Sequence, residues 1–188
     1  MKIGLFFGSF NPIHTGHLII ANYMAANTDL DEVWFMVTPQ NPLKNRRNLL
    51  NEYDRLEMVN LAIEDNDKLR ASDFEFHLPR PSFTIDTLVR LKEKYPDNNF
   101  VLIMGTDTVN TLPKWKNHEV LIENNQVYAY PRVGHEATFN FDGLKIWETP
   151  IMEISASFIR RSIKNNRSIR YFVPEKVRVF LDKWGYYK

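Results

Sequence analysis

Short apolar runs of strand-forming residues recur along this chain, and most are followed by a stretch of helical periodicity. Ile3 to Phe7, Val33 to Val37 and Phe100 to Met104 are the clearest runs, with Arg70 to Phe76, Val127 to Tyr130 and Leu144 to Trp147 as further strands. Between them the spacing predicts helices over Leu18 to Ala26, Asn51 to Asp65, and from a Ser82 or Thr84 cap to about Lys94. Asn51 is placed to cap the second of these. His118 to Asn124, Ser157 to Asn165 and Glu175 to Trp184 complete the helical set. Strands of this length and apolarity, alternating with helices, must be covered on both faces. The expectation is an α/β fold: a doubly wound, mostly parallel sheet with helices on both sides.

In such Rossmann-like sheets ligands sit beyond the carboxyl ends of the strands. Gly8-Ser9, Thr38 and Gly105-Thr106-Asp107 all follow strands, so they should converge in space. With 188 residues, 44% of them hydrophobic, the chain is most simply one domain over residues 1–188, with a small helical part from about residue 155. No apolar run is long enough to span a membrane, and the first residues read as a strand rather than a signal peptide. The chain has no cysteine, which excludes disulfides, zinc-thiolate sites and a cysteine nucleophile. Cytoplasm is the expected compartment. A net charge of +1 supplies no global field for nucleic acid, so any anion site must be local. The sequence leaves a homo-oligomer open.

Gly8-Ser9-Phe10-Asn11-Pro12-Ile13-His14-Thr15-Gly16-His17 links the first strand to the first helix. A helix N-terminus attracts phosphate, and residues three apart share one side of a forming turn. His14 and His17 can therefore face one anion. A lone histidine is usually structural, but two at this spacing between glycines reverse that reading. A metal pair is the alternative. The chain lacks His-Glu-x-x-His and has no acidic residue between Lys2 and Asp29, so phosphate is favoured.

This decapeptide resembles the signature of the His-x-Gly-His nucleotidyltransferase superfamily, a motif shared with class I aminoacyl-tRNA synthetases. Ile154-Ser155-Ala156-Ser157-Phe158-Ile159-Arg160 resembles the Ile-Ser-Ser-Thr-x-Ile-Arg element of the nicotinate- and nicotinamide-nucleotide adenylyltransferases. Three segments between them point to the bacterial nicotinate mononucleotide adenylyltransferases. Pro81-Ser82-Phe83-Thr84-Ile85-Asp86-Thr87-Leu88 is similar to that family's Pro-Ser-Tyr-Thr-x-Asp-Thr-Leu. Met104-Gly105-Thr106-Asp107, with Leu112 and Trp115, is similar to its Gly-x-Asp and Leu-x-x-Trp pattern, and Asn41-Pro42-Leu43-Lys44 to its lysine-bearing loop. The resemblance runs from Lys2 to about Arg161. It departs from the pattern where Ala156 replaces a hydroxyl residue and Ser157 replaces threonine.

The implied reaction joins the 5′-phosphate of nicotinate mononucleotide to the α-phosphate of ATP and releases pyrophosphate. Such a nucleophile is already an anion, so the site must align two repelling phosphates and offset charge rather than supply a base. By resemblance, His14, His17, Lys44 and Arg160 carry the transfer. Gly8, Ser9, Phe10, Gly16, Gly105, Asp107, Ile154, Ser155 and Ser157 complete the ATP site with His14, His17 and Arg160. Ser9, Phe10, Asn11, Lys44, Phe83, Thr84, Trp115 and Arg132 would hold the mononucleotide. Mg²⁺ would be carried mainly on ATP phosphates, with no protein metal ligands.

Each assignment has a plainer competitor. Lys44 shares a basic loop with Arg46 and Arg47, as solvated clusters often do. Arg160 and Arg161 open a helix, where cations oppose the dipole, which favours an anion role for one of them. Asp107, Ser155 and Ser157 could be helix caps, and Asp86 reads as a capping or loop-positioning residue. Trp115 is either core or a stacking platform for the pyridine ring. By resemblance, the nicotinate carboxylate meets backbone N–H groups at the helix start near Phe83-Thr84, and a helix N-terminus prefers such an anion to a neutral amide. The alternatives are a nicotinamide mononucleotide adenylyltransferase, a phosphopantetheine adenylyltransferase or cytidylyltransferase, and a nucleotide-binding regulator without turnover. A tRNA synthetase fragment is disfavoured because the chain lacks a Lys-Met-Ser-Lys-Ser-like loop.

Overall fold

A computed structural model describes residues 1–39 and 49–188. Six strands run in chain order as β1 (Lys2–Gly8), β2 (Glu32–Val37), β3 (Leu69–Ser72), β4 (Asn99–Gly105), β5 (Gln126–Tyr130) and β6 (Leu144–Ile146). The helices are α1 (Thr15–Asn27), α2 (Glu52–Ile63), α3 (Thr84–Lys94), α4 (Thr106–Val109), α5 (His118–Asn124), α6 (Ala156–Lys164) and α7 (Glu175–Trp184). The sheet order is β3-β2-β1-β4-β5-β6, and every strand pair is parallel. The expectation of a mostly parallel sheet is thus met by a wholly parallel one among the described strands.

Alternation along each strand divides the core in two. Phe6, Val33, Phe35, Val101 and Ile103 face a cluster with Ile20 and Met24 of α1, Met58 and Val59 of α2, Ile159 of α6, and Val177 and Leu181 of α7. Leu5, Trp34, Met36, Leu102 and Met104 face the other cluster, with Leu88 and Leu91 of α3 and Leu121 of α5. The chain leaves β1 in one direction to β2 and β3, then crosses back to β4 on its other side. That reversal opens a crevice outside the carboxyl ends of β1 and β4, where Gly8 and Gly105 end their strands.

Several element boundaries depart from the sequence reading. Helix α1 begins at Thr15 rather than Leu18, so Gly16 and His17 lie inside its first turn. Strand β3 stops at Ser72, and Phe74–His77 forms a 3-10 turn after the Ser72 hydroxyl accepts the Phe74 N–H at 3.3 Å. The residue before α3 is Phe83, and no side chain caps that helix, so neither Ser82 nor Thr84 does so. Asp107 lies inside α4, whose N-cap is Gly105, and is not a cap. Asn51 does cap α2, accepting the Tyr53 N–H at 2.9 Å.

Candidate active site

The strand-to-helix turn after β1 is held by packing before it can bind anything. Phe10 has a left-handed φ of 44° yet is buried, its ring edge-on to Phe6, Phe35 and His17. A bulky residue tolerates that backbone only when its surroundings impose it. Gly8 makes room for the ring, because a Cβ there would lie 2.7 Å from Phe10. The Asn11 side chain is engaged elsewhere: its oxygen accepts the Leu50 N–H at 3.2 Å and the Tyr187 hydroxyl at 2.5 Å. Thr15 donates its N–H to the Phe172 carbonyl at 2.9 Å and its hydroxyl to that of Tyr171 at 3.0 Å. The segment after α6 therefore buttresses the motif, a role for which the sequence carries no signal.

His14 and His17 stack at 3.6 Å between ring centroids, only 20° from parallel. The His14 N–H donates to His17 Nδ1 at 3.3 Å, which leaves the proton of a neutral His17 ring on Nε2. His14 is 5% exposed, and its Nδ1 has no hydrogen-bond partner among the described residues. Burial, helped by the positive Arg132 guanidinium, pushes its pKa down to about 4. It is a neutral donor at pH 7.

A cavity of about 660 Å³ opens over this pair. It is lined by Gly8, Ser9, Phe10, Asn11, His14, Gly16 and His17 from the first motif, and by Ile154, Ser155, Ala156, Ser157 and Arg160 from the second. Asp107, Arg132 and Tyr130 close a third side. Ser155 caps α6 through the Phe158 N–H at 3.2 Å, so the capping reading and a place in the wall hold together. Arg160 reaches back to donate to the Asn11 carbonyl at 2.7 Å and to the Ser157 hydroxyl at 3.1 Å. These bonds join the two motifs into one wall. Arg132 is positioned by Thr106, whose hydroxyl accepts its backbone N–H at 3.0 Å. Gly105 lets Arg132 and Asp107 approach each other, since a Cβ there would sit 2.8 Å from Arg132 Cγ.

The expected site residues thus divide between two chambers. Thr84, Gly105 and Trp115 line a smaller cavity of about 80 Å³ that shares Phe6, Phe7, Thr108 and Tyr130 with the larger one. Phe83 lines neither, and carries the Lys116 ammonium 4.8 Å over its ring. Lys116 also pairs with Asp86 at 2.8 Å, which gives Asp86 a positioning role at the start of α3. Arg132, expected to contact the mononucleotide, lines the larger chamber with His14 and Asp107, as do Ser9, Phe10 and Asn11. Lys44 lies outside the described residues. Sequence reasoning missed Tyr130, whose hydroxyl pKa is pushed up to about 12 by burial and which borders both chambers. Its only signal was its place at the end of β5.

Fold and site together define an α/β protein with a crevice lined by two histidines and two arginines at a topological switch point. The comparisons narrow this. The cytidylyltransferase-like family model matches residues 5–162. A protein from Flavobacterium psychrophilum named "Probable nicotinate-nucleotide adenylyltransferase" is 52% identical over the whole of both chains. A Cytophaga hutchinsonii protein of the same name is 50% identical, covering all of this chain and 98% of its own. The Plasmodium falciparum nicotinic acid mononucleotide adenylyltransferase complexed with NaAD superposes with a TM-score of 0.84. That match covers 99% of this chain and 97% of the other at 20% identity, and so bears on the fold. The chain belongs to the cytidylyltransferase-like family and, within it, to the nicotinate-nucleotide adenylyltransferases. No helix among the described residues is long and apolar enough to cross a membrane.

Proposed function

We propose that the larger cavity binds ATP, that the smaller one receives the pyridine of nicotinate mononucleotide, and that the AMP unit moves between them. The observation that carries this reading is the convergence of both motifs on one cavity beside a chamber bearing Trp115 and Thr84. The 5′-phosphate of the mononucleotide attacks the α-phosphorus of ATP, the bond to the β-phosphate oxygen breaks, and pyrophosphate leaves. No proton must be removed from the attacking group. His14 and His17 offer N–H donors to the phosphates, and neutral His14 does so without placing a second cation beside Arg132. Arg160, already fixed by Asn11 and Ser157, and Lys44 offset charge on the departing β- and γ-phosphates.

The α3 N-terminus, free of a side-chain cap, turns its first backbone N–H groups to the nicotinate carboxylate near Phe83 and Thr84. That favours the acid over the amide. Mg²⁺ fits as an ion carried on the nucleotide: Asp107 is the one carboxylate among the described lining residues, and magnesium keeps phosphate and water oxygens. When bound, it would neutralise charge on the triphosphate. A cytoplasmic location accords with the cysteine-free chain. The test is pyrophosphate release from ATP and Mg²⁺ with a substrate panel. Nicotinate mononucleotide should turn over far faster than nicotinamide mononucleotide. Equal rates would remove the specificity, and no release with either would remove the reaction.

A further inference from the structure

Two buried ionisable side chains beside the site take no part in the chemistry above. Arg55 of α2 is fully buried, and no carboxylate among the described residues forms an ion pair with it. Its guanidinium instead donates to four backbone carbonyls: Leu50 at 2.9 Å, Ser9 at 2.7 Å, Thr38 at 2.8 Å and Pro39 at 3.0 Å. It remains a cation, although burial lowers its pKa to about 10. A buried cation is costly, and charge-assisted bonds of this geometry are what offset it. The carbonyls belong to the loop after β1, the end of β2 and the chain entering α2.

Glu75 stands on the other side of Thr38. It is 2% exposed, sits in the Phe74–His77 turn, and accepts the Thr87 hydroxyl at 2.7 Å. The Thr38 and Ser82 side chains face the same carboxyl. Thr38 is therefore shared: its carbonyl takes the Arg55 donor, its N–H donates to the Gly8 carbonyl at 2.9 Å, and its side chain turns to Glu75. Ser9 at one end of this chain of contacts lines the larger cavity. Ser82 and Thr87 at the other end flank Thr84, which lines the smaller one.

We propose that Arg55, Thr38 and Glu75 form a buried brace that sets the separation of the two substrate chambers, with Arg55 and Glu75 as positioning residues. The proposal rests on the adenylyl-transfer reading above. A displacement of about 1 Å between reacting groups costs on the order of a hundredfold in rate, so a fixed spacing has a direct use here. Each mononucleotide bound alone can follow its own chamber when the brace is loosened. A dinucleotide spans both chambers and cannot.

Isothermal titration of ATP, nicotinate mononucleotide and nicotinate adenine dinucleotide into wild-type protein and three variants tests this. Arg55→Lys keeps the charge and loses the fork; Glu75→Leu removes the carboxyl; Glu75→Gln retains an acceptor oxygen. In Arg55→Lys and Glu75→Leu, dinucleotide affinity should fall by about tenfold while each mononucleotide binds within about twofold of wild type. Glu75→Gln should restore most of the dinucleotide affinity. A variant that is partly misfolded lowers the binding stoichiometry, not the affinity ratio, and failure of Arg55→Lys to fold leaves the Glu75 pair to decide. Wild-type protein that binds dinucleotide and releases pyrophosphate, with variants showing an unchanged ratio, overturns the brace alone. Wild-type protein that does neither overturns the reading beneath it as well.

Discussion

His14 and His17 illustrate how two chemically identical side chains acquire different duties from their surroundings. His17 accepts the His14 N–H at Nδ1, whereas His14 is buried and its own Nδ1 has no partner among the described residues. His17→Ala should lower kcat by a factor of about 10² or more while far-UV circular dichroism stays unchanged. Retention of most activity would remove the phosphate role given to it. His14 makes a separate prediction about pH. Its folded pKa of about 4 lies below the ordinary 6.5, so the unfolded chain takes up the proton first as pH falls. Stability from this group is complete above about pH 6.5 and declines toward pH 4, by roughly 3 kcal/mol in all. Urea denaturation at pH 7 and pH 4.5 should show a steeper acid loss for wild type than for His14→Asn. Parallel losses would show that another group governs the acid limb.

At the scale of elements, the strand-to-helix turn depends on pieces distant in sequence. Phe10→Ala should cost about 3–5 kcal/mol, because the ring that holds the left-handed backbone would leave a void among Phe6, Phe35 and His17. Thermal or urea unfolding measures it, and a loss under 1 kcal/mol would mean the turn is held by other contacts. Tyr187→Phe deletes the bond to Asn11 and should cost about 1 kcal/mol, with little change in the α-helical signal. Strands β1, β2, β4 and β5 were legible because each is a continuous apolar run of sheet-forming residues. Helix α4 and the 3-10 turns at Phe74–His77 and Leu112–Lys114 were not, since pieces of three or four residues carry no periodicity. The α1 boundary was misplaced because His14, Thr15 and Gly16 are poor helix signals. There the turn is set by the Phe172 and Tyr171 carbonyls, which act from the far end of the chain.

Across the whole molecule, the first motif follows β1 at the centre of the sheet, and α6, which comes after β6, carries the second motif back to the same crevice. Ligand binding should therefore stabilise the fold as a unit. ATP with Mg²⁺ at a hundred times its Kd should add about 2.7 kcal/mol to unfolding, read as a raised Tm in calorimetry. An unchanged Tm in excess nucleotide would mean that the folded protein does not bind ATP. Of the candidate site, the residue types and the two motifs were already present in the chain, because phosphate transfer needs donors and cations at a helix start. Their division into two chambers was not, nor was the placing of Arg132 in the larger one beside Asp107. Side-chain identity reports what a residue can do, while the chamber it enters depends on where β5 ends relative to β4. The sequence by itself determined a parallel α/β fold, a paired-histidine turn after β1 and membership in an adenylyltransferase family. Only the tertiary structure decided that His14 is neutral, that Arg160 joins the motifs through Asn11, and that Arg55 and Glu75 meet across Thr38. The reason is physical: desolvation and hydrogen-bond geometry arise from neighbours brought together by folding, and local sequence does not specify those neighbours.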